Sequence, residues 1–443
     1  MSLLRKSLVT TFGKGAGSAI QLVNGIIIAR WLGTSGTGQF QVPDWVNLFL
    51  ATAAGLGIGQ ASIYFINNQR VPIARVTTTI FYVTLIWGAT VALGLWLLYS
   101  NMQAFLGHLP AGVLICVACA GASRLMTDLL RPVLMAELRA NRLALTDVTQ
   151  TGSQTLVIAV MAFTGVLSVH AALITPLIGS LAAFAVVVWS VRRHIDFAMR
   201  PDWSLLRGLI DYGVRFASAN IVLNAHTIAP GLMLRQMLGF DQVGLYRTAM
   251  SLCGLISIIG AAATPLLYAA WSGVNDAGQR ARMVEAAARF YSFIGLCGAV
   301  AIFIVAGPLL RLLYGEAFVP AAPILRVLVF GTVIMLVAFS VQNLFLAVGR
   351  PMIVTALFLI TVAVNVGTNG LLIPLIGELG AAIAATGASA VYLAGTLVMA
   401  RRIGGVRIAD CFIPRRDDFR RVRDAMLRRT VSKPDRAPPE SRL

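Results

Sequence analysis

Twelve stretches of this sequence are each apolar for the roughly 20 residues that a helix needs to cross the hydrocarbon core of a bilayer. They fall at about 10–32, 42–66, 76–99, 111–136, 144–166, 171–191, 209–236, 244–270, 286–308, 327–348, 352–373 and 380–400. Composition agrees: 58% of the 443 residues are hydrophobic and 12% are charged, where a soluble chain carries about a quarter charged. The expected fold is therefore all-α and polytopic, with about twelve transmembrane helices. The N-terminal stretch starts with Arg5 and Lys6, as a secretory signal would. Its long apolar run and the lack of a small-residue cleavage site before Arg30 make it an uncleaved first span.

The few charges are lopsided, with 36 Lys+Arg against 18 Asp+Glu and a net charge of +18. Placing both termini in the cytoplasm puts 28 of the 36 basic residues on the cytoplasmic side, counting the tail from Arg401. Only Arg311 and Arg326 then fall in outer loops, and this bias is what orients membrane proteins. A nucleic-acid binder would need a soluble basic face with interleaved aromatics, so nucleic acid is not an expected partner. Cys116 and Cys119 form C-x-x-C inside an apolar segment rather than in an accessible loop, and the four histidines show no ligand spacing. Neither cofactor nor metal is expected. All outer loops are short and carry no evident catalytic set, which argues against an enzyme.

The sequence repeats internally. Residues 32–40 (LGTSGTGQF) align with 238–246 (LGFDQVGLY) at an offset of 206, matching Gly33 with Gly239 and Gly38 with Gly244. Leu3-Leu4-Arg5 echoes Leu205-Leu206-Arg207, and Val191-Arg192-Arg193 echoes Ala400-Arg401-Arg402. The expected organisation is two six-helix lobes, 1–200 and 201–402, followed by a basic cytoplasmic tail, 403–443. Six spans per half give both halves the same orientation, so the repeat is parallel, an arrangement that places a substrate site between lobes. In the tail, Phe419, Val422 and Met426 share one face of the Arg-rich stretch 417–430, which is either a helix lying on anionic inner-leaflet lipid or a solvated tail.

Six arginines remain inside the spans, where a charge costs at least about 2.5–3.5 kcal/mol. Arg30, Arg235 and Arg247 fall at span ends, where snorkelling competes with a functional role. Arg124, Asp128 and Arg131 are spaced i, i+4, i+7 on one face of the fourth span, with Arg124 near mid-depth. Such a stripe is either an ion-pair ladder or the wall of a hydrated cavity. In the seventh span Asp211 and Arg215 are i, i+4, His226 returns to the same face, Asn220 and Asn224 form a second polar strip, and Pro230 follows. Arginine outnumbers carboxylate in this set, which suits an anionic substrate such as a phosphate.

Several segments resemble the Wzx-type polysaccharide flippases of the multidrug/oligosaccharidyl-lipid/polysaccharide superfamily. Ala29-Arg30-Trp31-Leu32-Gly33 with Gly38-Gln39-Phe40 is similar to the end of their first span, and Gly244-Leu245-Tyr246 with Ala249 to the start of their eighth. Pro308 to Glu316 with Ile324-Leu325-Arg326 resembles their link between spans 9 and 10. Ile373-Pro374, Gly377 and Gly380 to Ala384 resemble their turn between spans 11 and 12. The resemblance implies a bacterial inner-membrane exporter with a cationic central cavity. Such a protein moves an undecaprenyl-pyrophosphate-linked oligosaccharide between leaflets by alternating access, and its partners are glycan polymerase and chain-length proteins. Arg124, Arg131 and Arg215 would then hold the pyrophosphate, and Asn220, Asn224 and His226 the sugars, with Arg30, Asp128, Asp211 and Arg247 completing the candidate set. Family members often carry an acidic residue late in span 7, where this chain reads His226 to Pro230. A peptidoglycan-precursor flippase, a cation or drug antiporter of the same superfamily, and a non-transporting component of a glycan assembly complex remain alternatives.

Overall fold

The computed structural model describes residues 3–272 and 276–412, without the side chains of 3–14, 216 and 258–272. The proposed tail helix at 417–430 lies outside the described residues. Among these the chain is helical, with no strand. Its twelve α-helices are α1 (Leu3–Ala54), α2 (Ile58–Asn67), α3 (Ile73–Asn101), α4 (Gln103–Leu106), α5 (Ala111–Ala136), α6 (Ala140–Phe163), α7 (Val169–Val191), α8 (Trp203–Met237), α9 (Phe240–Ser272), α10 (Ala277–Tyr314), α11 (Ala322–Ala347) and α12 (Met352–Gly404).

These helices are not one-to-one with the twelve spans. α1 has 52 residues and α12 has 53, far more than one crossing needs. α1 breaks at Gly33 (φ 68°) and α12 at Ile376–Gly377, with φ 62° at Gly377, so each supplies two spans joined at a left-handed glycine. A second break at Leu56–Gly57 separates α2 from α1 with a 42° bend. Six described helices are long and apolar enough to cross a membrane, or seven when the bent pair 15–54 and 58–67 counts as one. α6 and α8, and the described part of α9, fall outside this set because they carry the polar residues considered below. The resulting molecule is a twelve-span, two-lobe, multi-pass membrane protein.

By alternation of the spans, Gly33, the α4 turn, the α8–α9 and α10–α11 links and the Gly377 break lie at one end, which is poor in arginine. The arginine-rich opposite end carries Arg139, Arg192, Arg193, Arg280, Arg350 and Arg401. Apolar side chains such as Phe163, Leu312 and Leu375 stand exposed on the outside, as lipid contact requires. Towards the arginine-poor end the buried core is continuous between the lobes, from Ile28, Phe40, Trp45 and Leu106 to Val243, Tyr246, Leu310 and Phe318. A separate core nearer the arginine-rich end, including Ile58, Ile80, Leu130 and Val187, is built mainly by the first lobe and completed by Leu205 and Leu209 of α8.

The repeat packs against itself. A Cβ added at Gly38 would lie 2.0 Å from the Phe240 carbonyl oxygen, and one at Gly244 would lie 2.0 Å from that of Thr34. Since 34 and 38 become 240 and 244 at the repeat offset, each half makes the same contact with the other, the reciprocity of a two-fold interface. Only glycine lets the backbones of α1 and α9 come this close.

The link between halves runs through a 3₁₀ turn, Arg192–His194, to Asp202, the N-cap of α8. Asp202 accepts hydrogen bonds from the Ser204 hydroxyl (2.6 Å), the Leu205 amide (3.0 Å) and Arg75 Nε (2.7 Å). In that order, these interactions hold its carboxyl well below the usual carboxylate range.

Two outcomes are expected. Gly38→Ala and Gly244→Ala each lower the thermal midpoint of the purified protein by forcing an overpacked contact, at about 1–3 kcal/mol. Gly367→Ala, where the added Cβ meets nothing within 4 Å, does not. Asp202→Ala lowers the midpoint at neutral pH. Because the folded carboxyl is the more acidic, the gap narrows as pH falls through about 4, the unfolded value. A fluorescence melt across pH reads both.

Candidate functional site

A polar cavity of about 190 Å³ lies where the two lobes meet, close to the Gly38–Gly244 crossing. Its wall draws Gln21 and Asn24 from the first arm of α1, Thr37, Gln41 and Asp44 from the second arm, and Arg124 from α5. α6 contributes Gln150, Thr151 and Gln154, while Arg247, Thr248 and Ser251 come from α9 and Tyr314 from α10. The contributions follow helical spacing: Thr37, Gln41 and Asp44 are i, i+4, i+7, and Gln150 and Gln154 are i, i+4. Two arginines against one carboxylate leave the wall with one surplus guanidinium.

The polar groups are chained. Arg124 pairs with Asp44 at 3.7 Å. Gln41 Nε2 donates to the Asp44 carboxylate at 3.3 Å, and Arg247 donates to Gln41 Oε1 and to the Ser251 hydroxyl. Gln41 and Arg247 are themselves equivalent at the 206 offset, so their contact lies on the repeat axis. Among the described residues the buried Asn24 Oδ1 and Tyr314 hydroxyl have no hydrogen-bond partner. A buried polar atom left unpaired costs about 1–3 kcal/mol, and both residues belong to this wall.

From the cavity the α5 stripe continues towards the arginine-rich end. Arg131 pairs with Asp147 of α6 at 2.6 Å. Asp128 is exposed on the same face of α5, one turn from each of the two arginines. The stripe is thus an ion-pair ladder at Arg131 and a cavity wall at Arg124. Its expected positive excess is offset by partners on other helices. Arg124, Arg131 and Arg247 are balanced by Asp44, Asp128 and Asp147 across the whole cluster, and only the cavity wall stays positive.

The remaining sequence candidates are dispersed. Arg30 sits at the arginine-poor end, donating through Nε to the Leu313 carbonyl (2.8 Å) and through Nη2 to that of Leu312. Asp211 and Arg215 are both exposed on α8 and form no ion pair with each other among the described residues. Asn220 is half-buried on the same helix. Asn224 Nδ2 reaches across the lobes to the Thr52 hydroxyl at 3.1 Å. His226 is buried in the second lobe, where Asn365 Nδ2 contacts its Nδ1 at 2.8 Å and donates to its carbonyl at 3.1 Å. It borders a separate, more apolar cavity of about 520 Å³ with Tyr246, Tyr291, Thr332 and Gln342. Arg124 and Arg247 are therefore the two sequence candidates that share the polar cavity. The amides Gln21, Asn24, Gln41, Gln150 and Gln154 escaped the sequence reading, although their spacing on the span faces was there to be read. No cluster of three metal-ligating side chains occurs among the described residues.

Comparison with known proteins places this geometry. The family model described as "Polysaccharide biosynthesis protein" matches residues 27–323, which hold the repeat contact and the whole polar cavity apart from Gln21, Asn24 and Gly25. No curated protein matches the chain. Among solved structures, the inward-facing conformation of a multidrug resistance MATE family transporter of the MOP superfamily is similar at a TM-score of 0.72. It has 17% identity, with 94% of this chain and 96% of that chain covered. The outward-facing conformation of a transporter of the same description gives 0.66, 16%, 91% and 95%. A MOP superfamily transporter from Pyrococcus furiosus, described as having a binding pocket of reverse polarity, gives 0.64, 16%, 90% and 94%. These likenesses establish the fold, and with the family match over most of its length, the chain belongs to the polysaccharide biosynthesis protein family.

Proposed function

We propose that the protein is a flippase that moves a lipid-linked oligosaccharide from the inner to the outer leaflet of the bacterial inner membrane. The observation that carries this reading is the polar cavity, with its five amides, its unpaired buried Asn24 and Tyr314 oxygens and its surplus guanidinium, set at the junction of two lobes. Amide side chains offer a donor and an acceptor together, the complement of a sugar hydroxyl. A guanidinium offers a planar fork of donors to a phosphate. Arg124 and Arg247 take the (pyro)phosphate end, and the amides take the sugars. The lipid tail stays in the bilayer while the head crosses, the lobes rocking about the cavity to expose it to one side and then the other. The arginine-rich end faces the cytoplasm, as do both termini, and the polymerase and chain-length proteins that receive the unit are partners on the other side.

Nothing in the cavity favours a drug antiporter, whose cationic cargo would want a surplus of carboxylate where this wall has a surplus of arginine. The test is complementation in a strain lacking the gene. Arg124→Ala and Arg247→Ala, made separately, are expected to cut surface glycan at least about tenfold, since each removes charge-assisted hydrogen bonds worth about 1.5–3 kcal/mol, with the membrane level of the protein unchanged. Full surface glycan from both variants would exclude the assignment.

A further inference from the structure

Two arginines outside the cavity make one and the same contact in opposite directions. Arg30, at the end of the first span, forks onto the carbonyls of Leu313 (through Nε) and Leu312 (through Nη2) in the last turn of α10, in the other lobe. Arg235, at the end of α8, forks back onto the carbonyls of Phe105 (Nε, 2.9 Å) and Ala104 (Nη2, 2.9 Å) of α4 in the first lobe. The same nitrogen meets the equivalent carbonyl in each case, because 104 and 105 become 312 and 313 at an offset of 208.

The acceptors are prepared alike. α4 is followed by Gly107 (φ 90°) and α10 by Gly315 (φ 99°), again 208 apart, each ending its helix in the left-handed or positive-φ backbone that only glycine adopts freely. The last carbonyls of a helix lack intrahelical donors and carry partial negative charge. A guanidinium from the opposite lobe therefore supplies the cap that the helix itself cannot. Arg235 is further seated over the Phe240 ring at 3.9 Å, and the Thr34 hydroxyl donates to Asp241 at 2.5 Å alongside.

We propose that Arg30 and Arg235 are a pair of crossed latches that hold the arginine-poor end of the transporter shut. Each must release its two carbonyls before the cavity can open to that side. The inference rests on the proposed transport cycle for its purpose, but the latch itself is read by accessibility rather than by transport.

In a chain with its five cysteines replaced by alanine, Thr37→Cys places a thiol in the buried cavity wall just beneath the closed end. Val166→Cys places one on the exposed α6–α7 turn of the same end, to show which face of a sealed membrane vesicle a membrane-impermeant maleimide reaches. The reagent is applied to that face, and labelling is normalised to monodisperse protein recovered. Arg30→Gln and Arg235→Gln are each expected to speed labelling at position 37 at least about tenfold, one latch having been worth two charge-assisted hydrogen bonds. Arg30→Lys and Arg235→Lys, which keep the charge but not the planar fork, are expected to give a smaller rise. Labelling of the double Gln variant at the parent rate overturns the latch. Should the Gln variants not accumulate, parent-rate labelling of both Lys variants overturns it instead. Surface glycan scored in the same strains separates the two readings: faster labelling with undiminished dependence on Arg124 and Arg247 supports both. Faster labelling in a protein whose cavity variants export normally supports the latch alone.

Discussion

The polar cavity at the junction of the lobes depends on how closely two backbones approach at Gly38 and Gly244. Within lipid, apolar side chains gain little by leaving the tails for one another, so helix association rests on packing and on hydrogen bonds made at short range. With no side chain between them, α1 and α9 come near enough for Thr34 to reach Asp241 and for Gln41 to reach Arg247. A methyl group at either glycine would separate these partners and widen the gap that the polar cavity occupies. The cavity is small because the crossing is tight, and it is polar because five elements turn their few polar faces towards that one place.

The ionic groups obey the same economy. A lone guanidinium at mid-bilayer is expensive, and here Arg124 and Arg131 each stand beside a carboxylate contributed by another helix. This pairing lets Arg124 and Arg131 sit on an apolar helix without stranding a charge, while the imbalance of one in the cavity wall is kept for a ligand. Towards the arginine-rich end the lobes meet again, α2 of the first packing on α8 of the second, where Gly57 and Gly213 bring the two backbones together and Tyr64 stacks on Tyr212.

Much of this was legible in the residues. The twelve apolar segments survive as spans even where two of them run together into a 53-residue helix, because Gly377 was visible as the place where the chain could turn. The 32–40 and 238–246 repeat pointed directly at the contact that the two halves make. Spacing put Arg124, Asp128 and Arg131 on one face, but it could not show that Asp44 and Asp147 face them from other helices, since pairing between elements leaves no periodic trace. His226 fell on the face of Asp211 and Arg215, and Asn224 on a second strip with Asn220, yet His226 is enclosed within its lobe by Asn365 while Asn224 reaches Thr52. Arg30 and Arg235 looked like interfacial side chains because their acceptors are backbone carbonyls, which every residue possesses and no sequence distinguishes. Gln21, Asn24, Gln41, Gln150 and Gln154 carry no charge, and nothing in the sequence sets them apart from amides that merely hydrogen-bond between helices.

The meeting of Gln41 with Arg247 has a further consequence for the origin of such a chain. Two copies of a half-length ancestor, related by a two-fold axis, would confront each on-axis residue with itself. An arginine there would face an arginine and be repelled, and only a self-complementary residue such as glutamine could be tolerated. Joining the halves into one polypeptide removes that restriction, so one copy of the position can become the cation and the other its acceptor. The asymmetric pair at the centre of an otherwise reciprocal contact is therefore something that two identical chains cannot encode, and it is what allows a net charge to be placed on the axis of the molecule.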